Sequence, residues 1–136
     1  MSSIRPSSFL RLALLGDALA SGATGILAFA GAGLLADPLG LPVPMLHLVG
    51  LVLIAYAAAV AWVGTRPVVS SRIVWTIVVL NGIWALDSVL LLASGWVAPT
   101  ALGIGFVVFQ ALVVAGFAAA QAHGLRDASA GGTVPA

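Results

Sequence analysis

Apolar residues along this chain form four long stretches, at 9–36, 43–64, 73–95 and 100–122, with short polar breaks between them. A helix needs ~20 residues to cross ~30 Å of hydrocarbon, and each stretch meets that length. Proline respects the same boundaries. Pro6, Pro38, Pro42, Pro44, Pro67, Pro99 and Pro135 all fall in tails, loops or first turns, where the missing N–H costs little. The pattern predicts an all-α fold, a four-span transmembrane antiparallel helix bundle, because connections this short make consecutive helices antiparallel neighbours. One domain is expected over 1–123, with the small, polar, Gly-rich remainder 124–136 forming a disordered cytoplasmic tail. The first stretch exceeds one span and is expected to tilt or loosen near Gly31, Ala32 and Gly33.

Composition supports lipid as the solvent. The 136 residues are 62% hydrophobic and 7% charged, more apolar surface than a soluble domain of this length can bury. Charge then gives an orientation. Arg5 and Arg11 precede the first stretch, Arg66 and Arg72 flank the loop after the second, and Arg126 follows the fourth. The segments 37–42 and 96–99 carry no cation, so the positive-inside rule predicts both termini in the cytoplasm. A cleaved signal peptide is the rival reading of the N-terminus, with Ala18, Leu19 and Ala20 as a cleavage-like site. The apolar run continues to Ala36, past the usual ~7–15 residue core, which favours a retained helix. The all-Arg, Ala- and Gly-rich composition is associated with GC-rich bacterial genomes and suggests a bacterial cytoplasmic (inner) membrane. A net charge of +1 argues against nucleic acid as a partner. The absence of cysteine excludes disulfides and thiolate metal sites.

Polar residues inside the apolar runs are the candidate functional groups, since an acid at mid-membrane costs upward of ~2.5 kcal/mol. Counting ~1.5 Å per residue sorts them by depth. Asp17, Tyr56 and Asn81 form an expected inner cluster, with Ser21 and Thr24 on the same face and Trp84 one turn beyond Asn81. Asp87 and Gln110 form an expected outer cluster, with His47 closer to the surface. These acids have two readings. One is interhelical adhesion by a protonated carboxyl; the other is a proton-carrying or cation-binding site, which Tyr56 and Trp84 would assist through their ring faces. Gln110 and Gln121, eleven residues apart on one helix face, read as interhelical glue. His47 and His123 lie roughly a bilayer apart, so they cannot share one metal or haem within a protomer, and no cofactor and no metal are expected.

Asp17, Thr24 and Gly31 recur at intervals of seven, as do Asn81, Ser88 and Gly95, which suggests two parallel helix-hairpin repeats. Small residues four apart, such as Ser21 and Gly25, allow close helix packing, in a tight bundle or an oligomer. No nucleophile–base–acid pattern and no phosphate-cradling loop is legible, so an enzyme is not the expectation. The leading reading is a non-catalytic membrane subunit or helix-packing scaffold, with the lipid bilayer and a second copy or partner membrane protein as its surroundings. The alternative is a small proton-coupled transporter or permeation unit, passing a proton or small cation and using Asp17 and Asp87.

Overall fold

A computed structural model describes residues 3–130. A two-residue strand β1 (Ser3–Ile4) leads into α1 (Ser8–Ala30), α2 (Ala32–Leu39) and α3 (Val43–Gly64). A second short strand, β2 (Val69–Ser70), precedes α4 (Ser71–Ser94) and α5 (Ala101–Ala130). The fold is therefore all-α apart from the β1–β2 clasp. Among the described residues, four helices (α1, α3, α4 and α5) are long and apolar enough to cross a membrane.

The first apolar stretch divides where it was expected to loosen. Gly31 ends α1, its N–H donating to the Leu27 carbonyl at 2.8 Å, and its own carbonyl accepts the first bonds of α2 from Leu34 and Leu35. The segment 37–42, read as a loop, is partly helical: α2 carries Pro38 and ends at Gly40, whose φ of 68° is left-handed. A side chain at Gly40 would also meet the Ala98 carbonyl at 2.8 Å, so two constraints select glycine there.

Both ends of the bundle are stitched by polar groups that would otherwise be orphaned. At the end carrying the arginines, the Arg11 guanidinium donates to the Gly64 carbonyl at 2.6 Å and to the Arg66 carbonyl at 3.2 Å. A cation there meets the unpaired carbonyls and negative dipole end of α3. β1 pairs antiparallel with β2, Ile4 opposite Val69, and both side chains are buried with Leu10, Leu14, Val60 and Leu125. At the far end, Thr100 accepts the Gly103 N–H at 3.1 Å, capping α5, while its hydroxyl donates to the Pro38 carbonyl at 2.6 Å. Leu39, Leu41, Leu46 and Val107 pack beneath it.

The tail is a correction. The residues expected to be disordered from Gly124 continue α5 to Ala130. The physical reason is burial: Leu125 is fully enclosed beside Leu10, and Gly124 lies against Leu10 closely enough that an added Cβ would sit 3.0 Å from its side chain. The rest of that expectation, 131–136, lies outside the described residues.

α1 packs along α3, α4 packs along α5, and α1 joins the two hairpins through α5. Consecutive helices were expected to be neighbours throughout, yet α3 and α4 meet little along their backbones. Tyr56 reaches across that side, its hydroxyl 2.9 Å from Asn81 Oδ1. α1 and α3 cross at backbone distance. Gly25 and Gly50 face each other there, and a Cβ on Gly50 would lie 2.7 Å from the Gly25 carbonyl oxygen and the Phe29 nitrogen.

Overpacking of that crossing is expected to lower stability. Gly50→Val should lose ~1–3 kcal/mol, measured by unfolding in mixed detergent–lipid micelles. Gly82→Ala, which meets nothing within 4 Å, should lose none.

Candidate functional site

Asp17 has no exposed surface, and neither has Gln121. Asp17 lies nine residues into α1, about 14 Å from the helix start. Tyr56 on α3, Asn81 on α4 and Gln121 on α5 reach nearly the same depth by the same count. All four spanning helices therefore contribute a polar side chain to one level of the bundle.

The Asp17 carboxyl is fully engaged. Its Oδ2 accepts from the Tyr56 hydroxyl at 2.7 Å, Asn81 Nδ2 at 2.9 Å and Gln121 Nε2 at 2.8 Å. Its Oδ1 accepts from Ser21 Oγ, one turn along α1, at 3.1 Å. The partners are also joined to one another. Asn81 Nδ2 donates to Gln121 Oε1 at 3.0 Å, Tyr56 lies 2.9 Å from Asn81 Oδ1, and Gln121 Nε2 lies 3.3 Å from the Ala13 carbonyl.

These contacts outnumber by one the hydrogens that the partners hold. Ser21 and Tyr56 have one each, and Asn81 and Gln121 have two each. With an ionised Asp17, the single Tyr56 hydrogen must serve both the carboxylate and Asn81 Oδ1.

The expected inner cluster thus assembles in part as read from the chain. Asp17, Tyr56 and Asn81 meet. Trp84 stands beside them with its indole N–H turned away, donating to Gln110 Oε1 at 2.9 Å. Gln121, assigned only as glue, is a full member. The chain gave it no depth; α5 runs to Ala130, past the expected end at residue 122, and so holds Gln121 well inside the helix.

The expected outer cluster does not assemble. Gln110 accepts from Trp84, and its Nε2 donates to Ser88 Oγ at 2.9 Å and to the Val107 carbonyl at 2.8 Å, leaving no link to Asp87. His47 packs against Phe29 on α1, with ring centroids 5.2 Å apart. Asp87 is exposed on α4 and has no hydrogen bond or ion pair among the described residues. Equal depth brought these residues to one level but not to one azimuth. The second histidine, His123, pairs with Asp127 at 3.3 Å on the exposed face of α5, and no cluster of three metal-ligating side chains occurs among the described residues.

Between α3 and α4 the bundle opens into a crevice of about 210 Å³. Tyr56, Val52 and Leu53 form one wall; Leu80, Ile83, Trp84 and Asp87 form the other, with Ser21 and Asn81 at the floor. The lining is apolar except at the floor and at Asp87. Comparison of the chain with known protein families, with curated proteins and with solved structures finds no match.

A shared network makes its members non-additive. Asp17→Ala and Gln121→Ala are each expected to destabilise the bundle, and the double variant should fall short of the summed losses by at least ~0.5 kcal/mol. Equilibrium unfolding of the four proteins in one double-mutant cycle measures this.

Proposed function

We propose that this protein is a non-catalytic membrane-integral subunit or scaffold of a bacterial cytoplasmic membrane. Both termini face the cytoplasm, and its partner is a second copy or another membrane protein. The observation that carries the reading is the saturation of Asp17. A carboxyl that carries protons or cations must exchange partners, whereas this one has no exposed surface and holds donors from three other helices and from its own. Such bonds fix helix register in a medium where water offers no alternative partner. Here the acid acts as a hydrogen-bonding adhesive that ties the four spanning helices together. Exposed Leu12, Leu19, Leu34, Phe109 and Leu112 supply apolar surface suited to lipid and to a membrane-embedded partner.

The crevice between α3 and α4 favours a second reading, a small proton-coupled transporter, because Tyr56 and Asn81 join its lining to the Asp17 network. In its relay form that reading uses Asp17 and Asp87 as successive steps, and in its simpler form one acid suffices. Asp87 has no bond to the network, and six residues of α4, about 9 Å, separate it from Asn81.

The two readings part at Asp17→Asn. As an adhesive, the amide should stand in for the carboxyl, its oxygen accepting the same three donors, with the fold and detergent-resistant assembly retained, while Asp17→Ala should lose at least ~2 kcal/mol. Proteoliposomes of wild type, Asp17→Asn and Asp87→Asn should show the same proton flux. A pH-driven flux present in wild type and abolished in Asp17→Asn would replace the scaffold with the transporter.

A further inference from the structure

Asp87 presents a problem that the network around Asp17 does not solve. It lies in the interior of α4, seven residues from the helix end, about 10 Å along the axis. Acids at such depth ordinarily face a bundle interior or a partner charge. Asp87 is exposed and has neither among the described residues. All five arginines lie at the opposite end, with Arg72 fifteen residues back along the same helix, and His47, in the same half as Asp87, packs on Phe29 and forms no ion pair with it. A second copy in the same orientation would bring its arginines to that same opposite end. An ionised Asp87 is left to take its countercharge from a molecule with its own cation.

The surroundings of Asp87 indicate what kind. It edges the α3–α4 crevice, where Trp84 stands one turn away on the same wall and Tyr56 on the facing wall. Aromatic faces attract cations that carry no directional hydrogen bonds, and the apolar Val52, Leu53 and Ile83 suit a hydrocarbon body. The space, about 210 Å³, exceeds the ~150 Å³ cavity that accommodates benzene. It fits one ring or a branched ammonium head, with any longer chain leaving through the open side into lipid.

We propose that the α3–α4 crevice binds an amphiphilic organic cation, its ammonium group against Asp87 and Trp84 and its apolar body between α3 and α4. Hydrocarbon drives entry from the membrane, and the acid selects charge. Neither the Asp87 carboxyl nor the crevice-facing ring of Trp84 belongs to the hydrogen-bonded set around Asp17, so the site stands whether the bundle is a scaffold or a transporter.

The test uses the full-length protein in lipid nanodiscs with Trp62, Trp75 and Trp96 replaced by Phe, so that Trp84 alone reports. Benzyltrimethylammonium is permanently charged, and neopentylbenzene is its uncharged carbon isostere. The ammonium is expected to change Trp84 fluorescence saturably, with affinity at least tenfold weaker in Asp87→Asn and unchanged in Asp37→Asn, an exposed acid on α2. Neopentylbenzene at matched membrane concentration is expected to compete at least tenfold more weakly. Helicity and dispersity of Asp87→Asn are checked in parallel. If that variant fails to fold, Ile83→Phe, which narrows the crevice and keeps the acid, is expected to weaken binding at least tenfold. Absence of saturable binding overturns the proposal, as does equal affinity of wild type and folded Asp87→Asn. Equal competition by the uncharged isostere also overturns it.

Discussion

Removing a carboxyl from water inside a bundle of apolar helices obliges the surrounding protein to supply every hydrogen bond that solvent would have made. Asp17 imposes that obligation, and α1, α3, α4 and α5 each answer it with one side chain or more. The consequence is geometric. An apolar helix in lipid can slide or rotate at little cost, since lipid tails are as apolar as leucine. A helix with a deep polar side chain that must meet Asp17 cannot. The depth of Asp17 therefore sets the vertical register of all four spans, and its direction sets which face of each turns inward.

Other contacts make sense as supports for that register. The Gly25–Gly50 crossing lets α1 and α3 approach at backbone distance, bringing Tyr56 within reach of Asp17. Arg11 on the α3 carbonyls and the β1–β2 clasp hold the arginine end. Thr100, caught between α2 and α5, holds the other. With both ends and the middle tied, the flank where α3 and α4 fail to close becomes a defined crevice. A floor made by a saturated network is inert toward exchange, whereas a rim made by an unsatisfied acid is not. The two acids of the spans, alike in sequence context, have opposite chemistry for this reason.

Depth was readable from the chain because helical rise is constant, so Asp17, Tyr56 and Asn81 could be placed at one level by counting. Direction was less readable. Asp87 and Gln110 share a level, yet Gln110 turns to Trp84 and Ser88, because the crossing and rotation of α4 against α5 decide who meets whom. Gln121 was missed for a related reason: its depth depends on where α5 ends. That end is set by Leu125 packing on Leu10, a contact more than a hundred residues apart in the chain.

The sequence by itself determined the number of spans, their limits to within a turn or so apart from the two ends that tertiary contacts prolong, and the glycine that breaks the first run. These follow from local quantities: run length, proline and glycine placement, and the cost of polar groups in hydrocarbon. Only the tertiary structure decided that Asp17 is saturated while Asp87 is not, that α3 and α4 part to leave a crevice, and that the chain after Gly124 stays helical. Each of those outcomes depends on the azimuth at which distant helices meet, and helices that are apolar on every side carry almost no periodic signal of that angle.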